Sequence, residues 1–107
     1  MATSKLKTNA WKLAGSNTGG LGITFPSDAS EILIWISAGK WTNLSLVVSK
    51  GMLPSSDFYA FHLGRYLSAS SYVSCIVNVY SASVVTTHLN EGGSDVLPSA
   101  TTTVYYR

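Results

Sequence analysis

His62, His88 and Cys75 are the first side chains to test for chemistry, because imidazole and thiolate serve as metal ligands, bases and nucleophiles. They fall in three separate strand-like segments with no ligand-spacing motif, so the pattern points to no metal site. Cys75 stands in phase with Val73, Val77 and Val79, which marks it as a small core residue rather than an exposed thiolate. The carboxylates Asp28, Glu31, Asp57, Glu91 and Asp95 sit mostly in turn-like stretches, where solvated carboxylates are expected and no raised pKa for acid–base work is signalled. The glycine-rich run "SNTGGLG" lacks the Lys-Ser/Thr of a phosphate-binding loop, and no helical pattern follows it. No catalytic residue, metal or cofactor is expected, and the chain does not read as an enzyme.

The aromatic residues carry more information. Phe58, Tyr59, Phe61, Tyr66 and Tyr72 crowd one region together with His62 and Arg65, and Trp41 falls at a hairpin turn, where a side chain is rarely part of a core. Rings supply apolar contact while hydroxyls, imidazole and guanidinium supply hydrogen bonds, a mixture suited to sugar or protein surfaces. Trp41, His62, Arg65 and Tyr66 are therefore the candidate ligand-binding residues. Packing within the fold is the competing role for each ring, with Tyr59, Phe61 and Leu63 on the inward face of one strand and Phe58 and His62 on the outward one.

The elements that must position these residues are strands. In "EILIWIS" the residues Ile32, Ile34 and Ile36 share one face, and after "AGK" the segment "TNLSLVVS" places Leu44, Leu46 and Val48 together, which predicts a hairpin. "SYVSCIVNVYS" alternates Val73, Cys75, Val77 and Val79 against Tyr72, Ser74, Asn78 and Tyr80, and "SVVTTHLN" follows after a brief break as its hairpin partner. Shorter strands are expected at "AWKLAG", "LGITF", "FYAFHLG" and "TTTVYY", separated by turn signals at regular spacing. The expected fold is all-β, an antiparallel β-sandwich of about eight strands, jelly-roll-like, in a single domain over 9–107 after a flexible segment at 1–8.

Composition narrows the partners. Only 11% of the residues are charged while Ser and Thr make up about a quarter, so the surface must be mostly hydroxyl and amide. Lys5, Lys7 and Lys12 cluster near the start and the other cations are scattered, which gives no basic stripe for nucleic acid. No apolar stretch approaches the ~20 residues of a membrane span, and no apolar region of a secretory signal is present, so neither membrane insertion nor export is expected.

As an ordered set, "WKLAG", "ITFPSDASEILIWI", "VVSKGMLP", "FYAFHLGRY", "VNVYSASVVTTHLNEGGSD" and the closing "TTTVYYR" resemble the C-terminal receptor-binding or tip domains of tail fibres and related tail proteins of tailed bacteriophages and prophages. The resemblance implies a non-enzymatic virion component, made in the host cytoplasm without a signal peptide. It would recognise a host cell-surface glycan or protein and assemble with other tail proteins, as a homotrimer. Two alternatives stand beside it: a free carbohydrate-binding module or lectin, and a decoration or baseplate protein without ligand. The assembly expectation also draws on scarce charge, since an uncharged terminal strand at a sheet edge, with outward Val84, Tyr72 and Tyr80, would leave surface for other copies to cover. Arg107 is the residue expected to pair across such an assembly.

Overall fold

A strand with one apolar side is stable only when that side is covered. The structure, a computed structural model describing residues 10–39, 42–53 and 58–107, covers it with a second sheet. The first sheet runs β1 (Lys12–Thr18), β9 (Thr101–Tyr106), β3 (Glu31–Ala38), β4 (Thr42–Ser49). The second runs β2 (Ile23–Thr24), β7 (Ser83–Glu91), β6 (Ser71–Val79), β5 (Tyr59–Ser68), and β8 (Ser94–Asp95) pairs with β7. Every pairing is antiparallel. The expected all-β sandwich is thus the fold, with nine strands among the described residues. The additional strand, β8, arises because Gly92 and Gly93, with φ of 61° and 94°, form a two-residue turn that sets Glu91 opposite Ser94. The segment 1–8 lies outside the described residues.

Registers follow the hydrophobic pattern. Ile32, Ile34 and Ile36 pair with Val48, Leu46 and Leu44, and Val73, Cys75, Val77 and Val79 are buried beneath the second sheet. Leu44 and Leu46 are only half-buried, because β4 is an edge strand with no neighbour on its far side. Val84 is fully buried rather than outward. Of the two adjacent valines, β7 turns Val84 to the core opposite Val79 and Val85 to the outside opposite Asn78.

The "TTTVYY" strand is not an edge. β9 lies between β1 and β3, with Thr102 and Val104 in the core, so the edges of the first sheet are β1 and β4. Arg107 makes several contacts within the chain. Its Nε donates to Glu31 Oε1 at 2.8 Å, its guanidinium lies 4.1 Å from the centre of the Trp11 ring, and its carbonyl accepts from the N–H groups of Ser30 and Glu31.

Two buried polar links join the sheets. Thr86 of β7 and Thr102 of β9 place their hydroxyl oxygens 3.1 Å apart in the interior. Glu91 of β7, only 8% exposed, accepts hydrogen bonds from the backbone N–H and the hydroxyl of Thr42 at the start of β4. A solvated turn carboxylate was the expectation for Glu91; burial against Gly39 and Thr42 overturns it.

Candidate functional site

Cross-strand registry sets the geometry of the second sheet's outer face. On β5 the residues His62, Gly64 and Tyr66 share a face, and they stand opposite Ile76, Ser74 and Tyr72 of β6. On β7 an irregularity at Thr87 shifts the register between Thr86 and His88, which brings His88 outward opposite Ile76. His62, Ile76 and His88 therefore form one row across three strands, the two imidazoles separated by two strand spacings of about 4.8 Å each. Neighbouring rows hold Gly64, Ser74 and Asn90 on one side and Ala60, Asn78 and Val85 on the other.

Along the strands, an aromatic pair stands beyond the first and the last of these rows. Tyr66 and Tyr72 stack with ring centres 6.4 Å apart, and Tyr66 is 73% exposed. Phe58 and Tyr80 meet at 5.2 Å at the opposite end. No hydrogen bond ties the side chains of His62, His88, Asn78, Tyr66, Tyr72 or Tyr80 to another described residue. The face thus presents rings and unspent donors and acceptors together.

The outer face of the first sheet differs in kind. Leu13, Tyr105, Leu33 and Val47 form an apolar row across all four strands, with Trp35 beside it. Two of its polar pairs are engaged internally: the Trp35 indole N–H donates to Asn43 Oδ1 at 2.5 Å, and the hydroxyls of Ser16 and Thr103 are 3.0 Å apart. An apolar groove of about 190 Å³ opens between the edges of β4 and β5, lined by Val47, Val48, Ser49, Leu53, Tyr59 and Phe61. It falls short of the ~300 Å³ at which small-molecule pockets begin, so an open face is the larger feature.

The sequence-derived candidates separate on this geometry. His62 and Tyr66 are brought together on the outer face, whereas Arg65 is exposed on the opposite side of β5, in line with Phe61 and Leu63 and opposite Val73. Trp41 lies outside the described residues. His88, Asn78, Tyr72 and Tyr80 join the face although only the outward phase of β6 pointed to them; for His88 the bulge in β7 hides the phase.

Cys75 projects into the core from the side of β6 opposite to Ile76, so it cannot converge with the two histidines, and burial pushes its thiol up to about 11. Among the described residues no group of three His, Cys, Asp or Glu side chains could hold a metal ion. No helix of the described residues is long and apolar enough to cross a membrane. Comparison with protein-family models, with curated proteins and with solved structures returns no match to this chain.

Proposed function

We propose that this chain is a non-enzymatic recognition domain of a phage or prophage tail protein, carried in the virion, that binds a receptor on the host cell surface. The observation that carries the reading is the outer face of the β5–β6–β7 sheet, where exposed rings and unspent hydrogen-bonding groups are gathered on rigid strands. The resemblance of the ordered sequence segments to tail-fibre tip domains supplies the biological setting. A glycan is favoured over a protein receptor, because protein contacts centre on a desolvated apolar core and this face interleaves its rings with polar groups.

A free carbohydrate-binding module would use the same face, so the virion setting rests on the resemblance alone. The apolar row of Leu13, Leu33, Val47 and Tyr105 fits contact with other copies or other tail proteins. The homotrimer implied by the resemblance draws further support from β4 and β5. These adjoining edge strands carry one formal charge, Arg65, between them. Light scattering on the eluting protein tests assembly: a monomer of 11.4 kDa at micromolar concentration contradicts it, and a dimer contradicts the trimer alone.

Adsorption tests the recognition role. Fluorescently labelled protein should decorate some strains of a bacterial panel, and joint replacement Tyr66→Ala with Tyr72→Ala should abolish decoration while leaving the thermal midpoint nearly unchanged. Decoration that survives the double replacement would remove this face from consideration.

A further inference from the structure

We infer that the outer face of the β5–β6–β7 sheet takes a neutral oligosaccharide laid along the strands and spanning both aromatic pairs, an inference that rests on the recognition role proposed above. Tyr72 and Tyr80 mark the two pairs on β6 and are eight residues apart, which at the rise of a strand is roughly 26 Å. A mono- or disaccharide reaches one pair; a chain of several rings reaches both. Each pair can stack on the apolar face of a sugar ring, and the imidazoles and amide between them can bond its hydroxyls.

Charge selects the class of glycan. Among the described residues no Lys or Arg projects from this face: Arg65 turns to the other side of β5, and Arg107 and Lys50 are engaged elsewhere. A sugar carboxylate or phosphate would meet no fixed cation, and Asp95 at the β8 margin would repel it. Sugar hydroxyls fit the unspent hydrogen-bonding groups of His62, Asn78 and His88.

The middle of the face is kept low. Gly64 stands exposed between His62 and Tyr66, where a Cβ would run into the Val73 carbonyl oxygen. Backbone therefore lies exposed between the histidine row and the tyrosine pair, where a chain can approach closely.

A printed array of bacterial surface oligosaccharides, graded in length and including neutral and acidic repeats, tests the inference alongside adsorption to whole cells. Binding should favour neutral repeats, strengthen with chain length, and hold as salt is raised. Tyr66→Ala and Tyr80→Ala should each weaken binding of a long neutral oligosaccharide roughly 3- to 10-fold, with only one of the two affecting a disaccharide. Preference for acidic repeats, loss of binding in salt, or equal binding of a disaccharide overturns the inference and leaves the recognition role standing. Binding to cells without any array signal overturns it in favour of a protein receptor. Binding to neither cells nor array contradicts the recognition role itself.

Discussion

The Glu91 carboxylate accepts hydrogen bonds from the backbone N–H of Thr42 at 3.0 Å and from its hydroxyl at 2.8 Å, so that the end of β7 in one sheet holds the start of β4 in the other. Gly39 completes the fit. Its φ is 52°, and a Cβ there would run into the Glu91 carboxylate, so Gly39 lies directly against it.

Removing this acceptor leaves a buried N–H without a partner. Glu91→Ala should cost about 2–3 kcal/mol in urea unfolding, and Glu91→Gln, which keeps one oxygen, should cost less. Equal stability of Glu91→Ala and the parent chain would show that the link contributes nothing.

The hydroxyl pair of Thr86 and Thr102 makes a sharper test of the same physics, because both groups are buried and each satisfies the other. Thr86→Val alone strands the Thr102 hydroxyl and should cost about 1–3 kcal/mol, whereas Thr86→Val with Thr102→Val should come close to the parent. A double variant whose loss equals the two single losses added would contradict the coupling.

Cys75 gives a pH dependence of known sign. Its thiol is held to about 11 in the folded chain against an ordinary 9.0, because burial disfavours the thiolate. The unfolded chain therefore releases this proton first as pH rises through 9 to 11, and the folded state loses stability across that window. The slope of stability against pH between those values should be shallower in Cys75→Val. Folded protein at neutral pH should also resist thiol alkylation until denaturant is added.

Periodicity was a good guide wherever one side of a strand is apolar throughout, and it weakened where it is not. Ile32, Ile34 and Ile36 name their own face. Val84 and Val85 do not, since two adjacent valines leave the phase to the strand opposite. The same period separates Arg65 from His62 and Tyr66, because residues an odd number of positions apart on a strand point to opposite sides. Glu91 carries no local signal of burial, as Thr42, whose N–H and hydroxyl meet its carboxylate, is 49 residues away in sequence. The two residues of β8 are too few to show any period.

The most direct test of the account is a map of contacts on the protein itself. Labelled amides should be followed while surface polysaccharide from an adsorbing strain is titrated in. Shifts should concentrate at Gly64, Tyr66, Tyr72, Ile76 and His88, with Leu13, Leu33, Trp35 and Tyr105 unmoved. Shifts gathered on those four residues of the first sheet, with the β5–β6–β7 face silent, would contradict it.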